Sequence, residues 1–71
     1  MKMEEKEKKR LILTKHYTNS VIEVYLSEDE TNVYQIKCLT HNRCKKYTFT
    51  VDSYIEKKMI GYSKVEDLIN K

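Results

Sequence analysis

Two cysteines and two histidines are the residues of this 71-residue chain whose spacing suggests chemistry. Cys38, His41 and Cys44 follow one another at intervals of three, and His16 could supply a fourth ligand. Two thiolates and two imidazoles would satisfy tetrahedral zinc. Strand parity argues against it. If Ile36 and Tyr47 share one dry face, Cys38 points into that face and Cys44 points away. Ligands on opposite sides of a sheet cannot hold one ion, and no glycine is available to shape a knuckle turn. The same divergence speaks against a Cys38–Cys44 disulfide, which leaves Cys38 as a small core hydrophobe. No metal and no cofactor are expected.

Other chemistry fares no better. Cys44, His41, His16 and Asp52 are the pieces of a nucleophile and base, but nothing in the sequence groups them. With Gly61 as the single glycine, a glycine-rich phosphate loop is excluded. Glu28-Asp29-Glu30 reads as a solvated turn without an apolar wall to shift a carboxyl pKa. A chain of this size also leaves little room for a pocket of roughly 300 Å³. The expectation is a protein that is not an enzyme.

The elements that must position any site follow from patterning. Residues 1–10 are a mixed-charge run without an apolar stripe and are expected to be a flexible arm ahead of a single domain over 11–71. Runs rich in β-branched and aromatic residues at 11–18, 21–27, 33–40 and 44–51 are separated by turn signals and predict strands. Ser53-Tyr54-Ile55-Glu56 and Ser63-Lys64-Val65-Glu66 have the form of capping boxes, and Gly61 marks a helix stop. Helices over about 54–60 and 64–70 follow. The predicted fold is α+β: a three- or four-stranded antiparallel meander with one or two short C-terminal helices packed on one face.

Alternation assigns Ile22, Val24, Leu26, Tyr34, Ile36, Cys38, Tyr47, Phe49 and Val51 to that covered face. It requires Leu26 opposite Tyr34, Val24 opposite Ile36, Ile36 opposite Tyr47 and Tyr34 opposite Phe49. The outward face would then show Val21, Glu23, Tyr25, Val33, Gln35, Lys37, Leu39, Lys46, Thr48 and Thr50.

Charge and composition bound the partner. The net charge is +3. Lys2, Lys6, Lys8, Lys9 and Arg10 against Glu4, Glu5 and Glu7 place +2 of it in the first ten residues. In a meander the acidic 28–30 turn and the basic 41–46 turn lie at opposite ends, making the molecule dipolar along its strands. No run is long and apolar enough for a membrane span or a secretory leader, so a cytoplasmic protein with reduced cysteines is expected. The absence of alanine and proline beside abundant lysine, tyrosine and asparagine fits an AT-rich genome, such as that of a phage or other mobile element. The functional expectation is a small protein-binding module, an inhibitor, regulator or accessory factor, using Tyr25, Lys37, Arg43, Lys45 and Lys46. The alternative is a weak nucleic-acid binder using the basic hairpin end and the N-terminal arm. An open sheet face also predicts a homodimer.

Overall fold

The computed structural model describes residues 9–40 and 43–70. Four strands form first: β1 (Lys9–His16), β2 (Ser20–Ser27), β3 (Asn32–Leu39) and β4 (Cys44–Thr50). Two helices follow, α1 (Val51–Glu56) and α2 (Tyr62–Ile69). The strands lie in the order β1-β2-β3-β4, each antiparallel to the next. This is the predicted α+β meander with two short helices on one face. β1 begins at Lys9, two residues before its predicted start, and the rest of the expected arm lies outside the described residues.

The dry layer lies between the sheet and the helices. Val24 and Leu26 of β2, Val33 of β3, Val51 and Tyr54 of α1, and Val65 of α2 form its buried centre. Phe49 closes it, with its ring 5.3 Å from that of Tyr54 in an edge-on arrangement. β1 joins through a bulge: Leu11 pairs with Tyr25, but Leu13 pairs with Val24. The extra residue lets Ile12 and Leu13 both pack against the core. Leu11 is left half-exposed on the other side.

The register corrects the expected one at β3. Leu26 opposes Val33, Val24 opposes Gln35, Gln35 opposes Tyr47, and Val33 opposes Phe49. Every β3 partner is displaced by one residue, so β3 alone turns over. Val33, Gln35 and Lys37 face the helix side, while Tyr34, Ile36 and Cys38 face away. The turn decides this. The Ser27 hydroxyl accepts from the backbone N–H groups of Thr31 and Asn32 at 3.2 and 3.0 Å and donates to Asp29 at 2.8 Å. Glu30 takes left-handed backbone angles and donates its N–H to the Ser27 carbonyl at 2.9 Å. That closure sets Ser27 against Asn32, and register follows turn geometry rather than the apolar count of one strand.

The helices also begin earlier than expected. Thr50, not Ser53, caps α1, its hydroxyl accepting from the Ser53 N–H at 3.2 Å. Gly61 does adopt left-handed angles (φ 77°), but as the residue leading into α2 rather than as the stop of α1. The α1 stop falls at Lys57, followed by Lys58 with φ 52°.

Candidate functional site

The two helices are too short to cover the sheet. Six and eight residues of helix span about 9 and 12 Å, whereas eight residues of strand span about 26 Å. α1 continues directly from β4 at Val51, so the helical layer sits over the Val33 and Phe49 end of β3 and β4. The opposite end of the same face is left bare. There Lys37, Leu39, Arg43, Lys45 and Tyr47 line a cleft of about 290 Å³. Leu39 and Tyr47 remain 44% and 42% exposed, which makes them two of the four large apolar side chains with substantial exposure among the described residues.

The charges around this cleft are not balanced. Lys37 and Lys45 are directly opposite each other on β3 and β4. Like charges in that position cost up to about 1 kcal/mol of sheet stability. Arg43 adds a third cation at the rim. Among the described residues the only ion pair is Arg10 with Glu30 at 3.7 Å, at the other end of the molecule. A larger groove of about 340 Å³ between β1 and α2 carries Arg10 and Lys64 together with Asp67, so it has no such bias. The hairpin cleft stands out by sign rather than by size.

Behind the cleft, on the other side of the same two strands, Cys38 and Cys44 form a disulfide between directly opposed positions, with Cα atoms 4.0 Å apart. This corrects the expectation of free, reduced, diverging cysteines. Once β3 turns over, both sulfurs share one face. The bond closes a small ring around the turn, worth about 2 kcal/mol by chain entropy. It also occupies both thiolates of the zinc spacing considered above. Among the described residues no three His, Cys, Asp or Glu side chains are grouped to hold a metal ion, and His41 lies outside them.

The open face of the sheet is a different environment. Tyr25 and Tyr34 are cross-strand neighbours. The Lys9 Nζ lies 5.6 Å from the Tyr25 ring centre and 5.3 Å from that of Tyr34, and the Lys46 Nζ lies 5.1 Å from Tyr34. These ammonium groups lie over the ring faces, and Tyr34 is only 9% exposed although neither α1 nor α2 packs on this side. The Tyr25 hydroxyl donates to Glu23 at 3.1 Å. Desolvation first, then the hydrogen bond and the negative charge of Glu23, push its pKa up.

The five residues singled out from sequence are therefore split between the two sides. Lys37, Arg43 and Lys45 meet in the cleft, whereas Tyr25 and Lys46 lie on the open face. Lys37, with Val33, Gln35 and Leu39, leaves the face first assigned to it. Sequence reasoning missed Tyr47, placed in the core by its correct parity, and Leu39, placed outside by the wrong one. The signal that could have found Tyr47 was helix length, since so little helix cannot reach the far end of the hairpin. Among the described residues, no helix is long and apolar enough to cross a membrane. The chain matches no known protein family, no curated protein and no solved structure.

Proposed function

We propose that this protein is a small non-enzymatic binding module that docks an acidic surface of another protein in the cleft formed by Lys37, Leu39, Arg43, Lys45 and Tyr47. One observation carries the reading: two lysines are held directly opposite each other beside an arginine, with no carboxylate paired to any of them among the described residues. A like-charge pair costs stability unless a partner brings the counter-charge. The apolar members then favour protein over nucleic acid. Leu39 offers an aliphatic wall with no role against phosphates, but it suits an apolar side chain flanked by acids. Tyrosine and arginine are the side chains that most often anchor protein interfaces.

Tyr47 beside three cations also supports a second reading, a single base stacked on the ring with phosphates on the lysines. Both readings are tested by titrating the protein with a Glu/Asp/Leu peptide and with single-stranded RNA and DNA of equal charge. The expected result is tighter binding of the peptide, weakened by about tenfold in Lys45→Glu, equivalent to 1.4 kcal/mol. Lys64→Glu, in the mixed-charge groove, should leave it unchanged. RNA or DNA binding that exceeds peptide binding and disappears in Tyr47→Ala would replace the protein reading with the nucleic-acid one.

A further inference from the structure

We infer that the Cys38–Cys44 disulfide is a redox switch that holds the basic cleft in its binding geometry and releases it on reduction. The inference rests on the binding role proposed above for that cleft. It is carried by the juxtaposition of the disulfide with the repelling lysine pair. Cys38 follows Lys37 on β3 and Cys44 precedes Lys45 on β4, so the covalent link lies one residue nearer the turn than the two opposed cations. Beyond it, the end of the hairpin is held by the Leu39 N–H bonded to the Arg43 carbonyl at 2.8 Å. Repulsion between Lys37 and Lys45, with Arg43 beside them, pushes β3 and β4 apart at this end. The disulfide opposes that push.

Three further features make the link switchable rather than merely structural. The bond lies at the surface, with Cys44 exposed and Cys38 half-buried, so a thiolate can reach the Cys44 sulfur. Arg43, Lys45 and Lys46 surround that cysteine in sequence, and cations draw in an anionic attacker such as a low-molecular-weight thiolate or a protein dithiol. Neither cysteine belongs to the buried cluster or to the residues packed against it. Opening the bond therefore loosens the hairpin end without removing a core contact.

The step is ordinary thiol–disulfide exchange. The reductant's thiolate attacks the Cys44 sulfur, and Cys38 departs as a thiolate and takes up a proton. A second thiol of the reductant then attacks the mixed disulfide and frees Cys44. Two electrons and two protons enter the protein, and the reductant leaves as its own disulfide. The reduced hairpin keeps its lysines but loses their fixed spacing, so an acidic ligand must supply the ordering itself.

The test compares three forms of the full chain: oxidised, reduced with a dithiol, and Cys38→Ser/Cys44→Ser. Each is titrated with the Glu/Asp/Leu peptide, and amide hydrogen exchange is followed residue by residue. Reduction and the double substitution should each weaken peptide binding by at least about fivefold, the lower end of measured coupling between sites. Exchange at residues 36–40 and 43–46 should quicken while the amides of β2, α1 and α2 keep their protection. Equal exchange and equal affinity in all three forms would overturn the switch. So would complete unfolding on reduction, which would make the disulfide a structural staple, or failure of the oxidised chain to lose the mass of two hydrogens. If no form binds the peptide, the docking role of the cleft falls, and the switch as a regulator of binding falls with it. Faster exchange at 36–40 and 43–46 would in that case still separate loss of the ligand reading from loss of the clamp.

Discussion

Tyr54 shows how much one side chain carries in a core this thin. It is fully buried, its ring meets Phe49, and its hydroxyl donates to the Ile60 carbonyl at 2.6 Å while lying 3.2 Å from the Gln35 side-chain oxygen. That phenol ties α1 to the segment between the helices, its single proton going to the nearer acceptor, Ile60. Tyr54→Phe should cost about 1–2 kcal/mol, read from denaturant midpoints, because the part-buried Ile60 carbonyl loses its donor. Desolvation pushes the Tyr54 pKa up to about 12 from 10.0. The folded state therefore holds this proton more tightly than the unfolded chain. Its contribution to stability is fully present below pH 10 and is lost as pH rises through 12. The wild-type stability curve should fall more steeply than that of Tyr54→Phe across this interval. Parallel curves would show that the phenol is not the group responsible. Tyr54 was legible in the sequence only as the second residue of a capping box. Its bond to Ile60 needs the chain to leave α1 and return, which no local pattern encodes.

At the scale of elements, turns and caps decide what strands and helices do. Ser27 directs the β2–β3 turn with one hydroxyl. Its hydroxyl and the Thr31 hydroxyl both donate to Asp29, and these bonds, with that of the Thr31 hydroxyl leading, hold the Asp29 carboxyl below the usual carboxylate range. Ser27→Ala should destabilise the fold by about 1 kcal/mol, since the Asn32 N–H loses its acceptor while the Thr31 N–H keeps only the Asp29 carboxylate. Nuclear Overhauser contacts between Leu26 and Val33 would report whether the register survives. Their replacement by contacts between Leu26 and Tyr34 would show that the turn alone had been holding β3 over.

Gly61 makes the same point between elements. It has left-handed angles, and a Cβ there would collide with Cδ2 of Leu13 on β1. Gly61→Ala should cost about 1–2 kcal/mol from the backbone alone. The collision adds to this, and the added part should shrink in a Leu13→Ala background. Equal costs in the two backgrounds, by thermal or chemical unfolding, would rule out the contact. The single glycine was readable as a left-handed position. Its closeness to β1 was not, because Leu13 reaches it only through the bulge at Ile12.

The whole molecule is a slab measuring 37 × 36 × 16 Å, one sheet and one partial helical layer deep. A chain of this length has a total stability of only about 4–11 kcal/mol. Leu26→Ala, at a fully buried position beside Val33, should remove about 2–5 kcal/mol. The loss is read as a lowered midpoint of denaturant unfolding followed by circular dichroism. A loss under 1 kcal/mol would mean the layer is not the source of cohesion. The same thinness produces the candidate site. Helices long enough to cover β3 and β4 to their ends would bury Leu39 and Tyr47 and force Lys37 and Lys45 to the rim. The acidic turn at 28–30 and the basic cleft are separated by the length of the strands; Lys9 and Arg10 of β1 partly offset the acids at the first end, whereas the lining of the cleft carries cations alone.

The order of elements, the existence of four strands and two helices, and the even-numbered dry side of β2 were all written in local patterns, because alternation, turn residues and caps act over a few residues. Which way β3 faces was not. Val33 competes with Tyr34, Ile36 and Cys38 for the dry side, and by residue type the wrong set wins. Hydrogen bonds in the turn before it settle the contest, and Tyr34 on the other side is still only 9% exposed, with the ammonium groups of Lys9 and Lys46 over its ring. That choice alone brings Cys38 beside Cys44 and Lys37 beside Lys45. A pairing between strands depends on parity carried through two turns, and tertiary structure fixes it where sequence leaves both answers open.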